Sequence, residues 1–98
     1  MTRRILITIE YDGAPFVGWQ RQDNGDSVQA AIEAAAEAFI GTPTPVAGAG
    51  RTDSGVHATG QVAHLDVPDR FDANRVMQAL NAHLGEVPVT IHHAREVP

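Results

Sequence analysis

The order of helical and extended patterns along the chain is the feature that most limits its fold. Two stretches have helical periodicity, residues 27–41 and 71–85. Four stretches have strand character: 4–11, 42–50, 60–67 and 87–98. The resulting order, β-α-β-β-α-β, is that of the split βαβ or ferredoxin-like arrangement. We therefore predict an α+β fold in which one four-stranded sheet carries both helices on the same face.

The first strand and the two helices have the clearest patterns. In RILITIEY, one row contains Ile5, Ile7, Ile9 and Tyr11, and the other contains Arg4, Leu6, Thr8 and Glu10. In SVQAAIEAAAEAFIG, the apolar stripe contains Val28, Ile32, Ala35 and Phe39, and the polar stripe contains Gln29, Glu33 and Glu37. Asp26 or Ser27 can cap the start of this helix and Gly41 its end. Asp72 and Gly85 do the same for the second helix.

The second face of the sheet has no helix to cover it. Leu6 lies opposite the row of Ile5, Ile7 and Ile9, and Val62 and Leu65 fall on opposite sides of the third strand. The alternation therefore predicts apolar residues on both faces of the sheet. Either the remainder of a longer polypeptide or a flat ligand such as RNA could cover it. Because large exposed apolar patches mark interfaces, we expect the isolated chain to associate with itself through the open face or an edge of the sheet.

Composition limits the class of protein. The chain has 98 residues, enough for one domain, and no apolar run near the roughly 20 residues that span a bilayer. Glu10 and Asp12 interrupt the only segment resembling a signal peptide, and cysteine is absent, so we expect a cytoplasmic protein with no membrane contact. The net charge of −5 argues weakly against nucleic-acid binding. All seven basic residues are arginine, however, the side chain best shaped for phosphate.

The stretch GAGRTDSGVHATGQVAHLD, residues 48–66, places Arg51 and Asp53 in a loop of small residues. A dinucleotide-binding fingerprint would need glycine where Asp53 stands, and a Walker loop would need lysine, which the chain lacks. His57, His64 and Asp66 lack the closely spaced ligand pair of zinc enzymes. We therefore predict neither a metal nor a nucleotide cofactor.

What is left is a carboxylate with an arginine two residues before it. Such a carboxylate could act in general acid-base catalysis or as a nucleophile. A nearby guanidinium lowers a carboxyl pKa, which favours the ionised form and so a nucleophile over a proton donor. The structural alternative is an ordinary turn, in which Asp53 accepts backbone N–H bonds and pairs with Arg51.

Two motifs carry a family resemblance. GRTDSGVHATGQV (50–62) and EYDGAPFVGWQRQ (10–22), together with SVQAAIEAA, closely resemble the N-terminal part of the tRNA pseudouridine synthase A family. The resemblance implies a ferredoxin-like unit that forms the N-terminal half of the synthase catalytic fold. It implies that Asp53 is the catalytic residue and that Arg51 helps to hold the flipped-out nucleotide. No cofactor or metal is implied.

The same resemblance suggests a substrate and an assembly. Family members isomerise uridine in the tRNA anticodon stem-loop, at positions 38 to 40, and act as homodimers with the tRNA lying across both subunits. Gln20, Arg21 and His57 are candidates for RNA contact, with packing the alternative for His57. Which chemical role the carboxylate takes, as nucleophile or as base, stays open.

Family members are also longer than this chain. They continue into an Arg-x-Tyr-x-Tyr type segment whose tyrosine stacks on the uracil, so residues 1–98 are expected to be an inactive N-terminal fragment lacking the C-terminal half. The alternative is a stand-alone RNA-binding or protein-interaction module that uses the same sheet without catalysis, since this architecture hosts many functions.

Overall fold

The secondary structure follows the predicted order. The computed structural model describes residues 1–12, 27–48 and 58–98. The strands are β1 (Thr2–Tyr11), β2 (Ala47–Gly48), β3 (Ala58–Pro68) and β4 (Val89–Val97), and the helices are α1 (Val28–Ile40) and α2 (Ala73–Leu84). The α+β prediction is confirmed.

The four strands form one antiparallel sheet in the order β2-β3-β1-β4. β3 lies between β1 and β2, and β1 lies between β3 and β4, so each strand-helix-strand unit is split by a strand from the other. This is the split βαβ topology that the element order predicts. Along β1 and β3 the register runs from Thr2 opposite Pro68 to Tyr11 opposite Ala58.

One irregularity interrupts the pairing of β1 with β4. Thr8 pairs with His93 and Ile9 pairs with Ile91, so β4 has one residue, His92, more than β1 across this step. An extra residue of this kind is a β-bulge, which bends the strand and leaves that residue without a partner in the ladder. The alternation of residues in β1 and β4 does not predict this bulge.

The core lies between the sheet and the two helices. The predicted apolar row of β1 is confirmed, because Ile5, Ile7 and Ile9 are fully buried. They belong to one cluster with buried side chains from both helices, Val28, Ile32, Ala35, Ala36, Val76, Leu80 and Leu84. Both helices therefore cover the same face. Neither helix in the described part of the chain has the length and apolar character that a bilayer crossing requires.

The helix ends are fixed by local hydrogen bonds, as the sequence predicts. The Ser27 hydroxyl accepts from the Ala30 N–H at 3.0 Å, and the Asp72 carboxylate accepts from the Arg75 N–H at 2.8 Å. Each bond satisfies an amide that has no partner within its helix. Gly41 ends α1 with φ at 94°, a left-handed conformation that glycine adopts without a steric penalty.

Candidate functional site

The residues predicted to carry the chemistry lie in two segments, 13–26 and 49–57. Asp53, Arg51, His57, Gln20 and Arg21 all fall outside the described residues. Their roles stay predictions. The structure does define the residues to which both segments are joined, and those residues form the framework of the candidate site.

One end of the sheet contains two of these junctions. β1 ends at Tyr11, directly opposite Ala58, where the described chain resumes after segment 49–57. On the other side Tyr11 pairs with Val89, and the Asp12 N–H donates to the Pro88 carbonyl at 3.1 Å. Tyr11 is buried in the core. Ladder pairing thus holds Tyr11, two residues before segment 13–26, beside Ala58, the first residue after segment 49–57.

The junction before segment 49–57 is built differently. β2 has only two residues, Ala47 and Gly48, and these pair with His64 and Ala63 of β3. The preceding residue, Val46, is held by α1. Its carbonyl accepts from Gln29 Nε2 at 2.9 Å, and its N–H donates to Glu33 Oε2 at 2.9 Å. Both backbone groups of Val46 therefore bind side chains of one helix.

The helical periodicity predicts that Gln29 and Glu33 lie in the polar stripe of α1, but it predicts no partner for either side chain. Their spacing of four residues puts both on one face of the helix. The proline-containing stretch at 42–46 offers backbone groups that a short strand cannot pair. These two features are the only indications in the sequence that the side chains bind this stretch. That both bind Val46 is seen only in the tertiary structure.

The face of the sheet opposite the helices is more polar than the sequence suggested. Leu6 and Val62 do lie on this face, but each is half-buried. Leu6 pairs in register with His64 on one side and Arg95 on the other, and these cross-strand neighbours flank it with long polar side chains. Within the described part of the chain, the large apolar side chains that are exposed are Met1 and Val87. The expected apolar patch is therefore not seen on the described face.

Two hydrogen-bonded polar pairs lie on this open face. Arg4 Nε donates to Asp66 Oδ1 at 3.0 Å, between two half-exposed side chains. This hydrogen bond lowers the pKa of Asp66 below its ordinary value, and the charges of Arg4 and His64 act in the same direction against a slight loss of solvation. At the bulge, His92 Nε2 lies 2.6 Å from Glu10 Oε1. The register thus brings Arg4 beside Asp66 and Glu10 beside His92 across neighbouring strands.

The described residues do not support a metal site at His57, His64 and Asp66. Asp66, one of the three candidate ligands, is bound to Arg4, whose positive charge disfavours a cation at the same carboxylate. Across residues 1–12, 27–48 and 58–98, no three histidine, aspartate or glutamate side chains are grouped as a metal site would need. His57 lies outside these ranges, and the absence of a metal stays a prediction.

The sheet has the split βαβ topology, and the segment between β2 and β3 contains Arg51 and Asp53. Both features agree with the family to which known proteins with similar sequences belong. A sequence model described as tRNA pseudouridine synthase matches residues 7–98. The chain belongs to the tRNA pseudouridine synthase family.

Three bacterial relatives, each called tRNA pseudouridine synthase A, are similar over nearly the whole chain. The protein of Rhodopseudomonas palustris is 58% identical over 95 residues, 97% of this chain and 38% of its own length. That of Nitrobacter hamburgensis is 56% identical over 97% of this chain and 39% of its own length. That of Rhodospirillum rubrum is 55% identical over 96% of this chain and 34% of its own length. The chain thus spans between about a third and two fifths of the relatives it matches.

Proposed function

We propose that residues 1–98 form the N-terminal part of a tRNA pseudouridine synthase, an isomerase that converts uridine to pseudouridine in the anticodon stem-loop. The observation that carries the proposal is the family match over residues 7–98, because it includes both motif segments in one alignment with the sheet. The similar relatives all bear the name tRNA pseudouridine synthase A. Positions 38 to 40 of the tRNA are the proposed targets.

The framework supports this assignment by the way the motif segments are attached. Asp53 stands five positions after Gly48 and five before Ala58, so its segment is joined to β2 on one side and to β3 on the other. Asp12, the last described residue before segment 13–26, follows Tyr11, which pairs with Ala58. A rigid sheet that holds short segments at its end is a common way to present catalytic and binding residues.

The proposed chemistry needs one ionised carboxylate. The bond between N1 of the uracil and C1′ of the ribose breaks, the base turns, and a bond forms between C5 and C1′. The proton on C5 leaves, and N1 gains a proton, so the reaction is an isomerisation without a co-reactant. Asp53 acts as the nucleophile or as the base in this sequence.

Access to the base needs a second group. A uridine stacked within the stem-loop must be extruded at a cost of about a few kcal/mol before C1′ can be reached. Arg51 is proposed to hold the extruded nucleotide, since a planar guanidinium can bind phosphate through two bonds and stack on a base. Gln20, Arg21 and His57 are proposed as further RNA contacts.

The functional assembly is proposed to be a homodimer that binds one tRNA across both subunits, without metal or cofactor. The proposal also implies that residues 1–98 alone are inactive, because an enzyme of the relatives' length supplies groups that this chain does not contain. A tyrosine that stacks on the uracil is the most important of them. Tyr11, the one tyrosine in the chain, is buried in the core.

The test is a tritium-release assay on tRNA labelled at C5 of uridine, using the full-length protein that contains these residues. Asp53→Asn should abolish release while leaving tRNA affinity within a fewfold, because the amide keeps the shape but is neither a nucleophile nor a base. Asp69→Asn is the matched control: it makes the same exchange at an exposed position in the turn after β3 and should retain turnover. Turnover of Asp53→Asn near the wild-type rate would end the catalytic assignment.

A further inference from the structure

We propose that Asn81 closes the outer edge of β4 against pairing with a second copy of this chain. β4 is the last strand in the order β2-β3-β1-β4, so among the described residues it pairs with β1 on one side only. The outer side of an edge strand carries backbone N–H and carbonyl groups that can pair with a strand of another molecule. Asn81, on α2, binds both groups of one residue of β4, Ile91.

The ladder between β1 and β4 shows that the backbone groups of Ile91 point outwards. The Asp12 N–H donates to the Pro88 carbonyl at 3.1 Å, which makes these two residues a hydrogen-bonded pair. Bonded and unbonded pairs alternate along an antiparallel ladder. The pair of Ile9 with Ile91 lies three steps further along, an odd number, and is therefore an unbonded pair. The N–H and the carbonyl of Ile91 thus face away from β1, towards the outer edge.

The side chain of Asn81 binds Ile91 as a neighbouring strand would. Asn81 Nδ2 donates to the Ile91 carbonyl at 3.0 Å, and Asn81 Oδ1 accepts from the Ile91 N–H at 2.8 Å. A side-chain amide offers the same kinds of donor and acceptor as a backbone peptide group. Because both groups of Ile91 are occupied, a strand from another molecule would have to displace Asn81 before it could pair there.

The bulge next to Ile91 makes regular pairing along this edge harder still. β4 has one residue, His92, more than β1 across this step, which breaks the regular spacing of its outward groups. Arg95 and Glu96, further along the strand, are both exposed. Bulges and charged side chains are common on edges that stay unpaired. A second strand could therefore pair in regular register over only short stretches of β4.

Helix side chains also bind the backbone beside the opposite edge. β2 has two residues, and the residue before it, Val46, has both backbone groups bound by α1. Gln29 Nε2 donates to the Val46 carbonyl, and Glu33 Oε2 accepts from the Val46 N–H, each at 2.9 Å. Of the two edge strands, β4 with nine residues is the one long enough to add a strand if it is uncovered. Asn81 is therefore the position at which the proposal is tested.

The experiment measures sedimentation velocity of the 98-residue chain over a range of concentrations, for the wild type and for Asn81→Ala, Asn74→Ala and Val76→Ala. Asn81→Ala leaves both groups of Ile91 unpaired, and a second strand can satisfy them, so we expect the association constant to rise about tenfold or more. Asn74→Ala makes the same exchange at an exposed position of α2 and should associate as the wild type does.

Val76→Ala controls for a general loss of stability. Val76 is fully buried on the same helix, so its truncation leaves a cavity in the core and weakens the fold without uncovering β4. We expect Val76→Ala to associate as the wild type does. If circular dichroism shows that Asn81→Ala is unfolded, Asn81→Ser, which removes the amide but keeps a polar side chain, takes its place in the same comparison.

Amide hydrogen exchange at Ile91 shows whether two copies meet at this edge. In dilute Asn81→Ala this amide should exchange faster than in the wild type, because it has lost its acceptor. At high concentration its exchange should slow again, because a strand of the second copy binds it. In the wild type and in Val76→Ala the exchange of Ile91 should not depend on concentration.

Two results would overturn the proposal. One is folded Asn81→Ala whose association constant equals that of the wild type and whose exchange at Ile91 does not depend on concentration. The other is an equal rise in association for Val76→Ala, because it would trace the association to lost stability rather than to the uncovered edge. These measurements involve neither tRNA nor turnover, so the proposed function stands or falls independently of them.

Discussion

At the scale of single residues, the partner of a side chain decides its chemistry. In the sequence, Asp66 is a candidate metal ligand together with His57 and His64. In the folded chain its carboxylate instead binds Arg4, which is 62 positions away. The pKa of Asp66 is lowered by that bond. The pair therefore stabilises the fold at pH values above the ordinary aspartate pKa of about 3.9, and this contribution is lost as the pH falls through the lowered pKa. Half-exposed pairs of this kind contribute little overall.

The direction of the Asp66 pKa shift can be checked by NMR titration of the side-chain carboxyl carbon of Asp66. We expect Asp66 to titrate below the ordinary aspartate value and to move back up towards it in Arg4→Gln. Arg75→Gln, on α2 in the other layer of the fold, is the control and should leave the midpoint where it was. An Asp66 midpoint that is unchanged by Arg4→Gln would show that the pair does not persist in solution.

At the scale of elements, each helix binds the backbone of one outer segment of the sheet. On α1, Gln29 and Glu33 bind the carbonyl and the N–H of Val46. On α2, one residue, Asn81, binds both backbone groups of Ile91. Asn81 Nδ2 donates to the Ile91 carbonyl at 3.0 Å, and Asn81 Oδ1 accepts from the Ile91 N–H at 2.8 Å. Ile91 lies beside the bulge of β4, where regular pairing with β1 is interrupted. Helix side chains thus satisfy backbone groups at both margins of the sheet.

We expect Asn81→Ala to lower the free energy of unfolding by about 1–3 kcal/mol, because it leaves the N–H and carbonyl of Ile91 without their partner. Asn74→Ala makes the same exchange at an exposed position of the same helix and should change stability by less than about 0.5 kcal/mol. Urea denaturation of both variants measures the difference. Equal stabilities for the two variants would contradict a structural role for the Asn81 bonds.

The elements differ in how far the sequence could predict them. α1, α2 and β1 were predicted closely, because periodicity and caps such as Ser27 and Asp72 depend on neighbours in the chain. The bulge at His92 and the bonds to Val46 and Ile91 depend on residues that meet only after folding. Arg51 and Asp53 were found through motif resemblance rather than through periodicity, and they lie outside the described residues.

At the scale of the whole molecule, the described chain is a sheet covered by helices on one face only. The open face is a mixed surface, in which the half-buried Leu6 and Val62 lie among charged and polar side chains. Self-association of residues 1–98 through this face or an edge of the sheet stays a prediction. The described open face exposes less apolar surface than the sequence suggested.

The measurement that tests the central claim most directly is the mapping of pseudouridine in a tRNA transcript treated with the full-length protein. We expect new pseudouridine within positions 38 to 40 after treatment with the wild type, and none after treatment with Asp53→Asn or with residues 1–98 alone. The transcript is made without modified bases, so every pseudouridine found comes from the added protein. A transcript that stays unmodified with the wild type, or that is modified equally by Asp53→Asn, would contradict the claim that this chain carries the catalytic aspartate of a tRNA pseudouridine synthase.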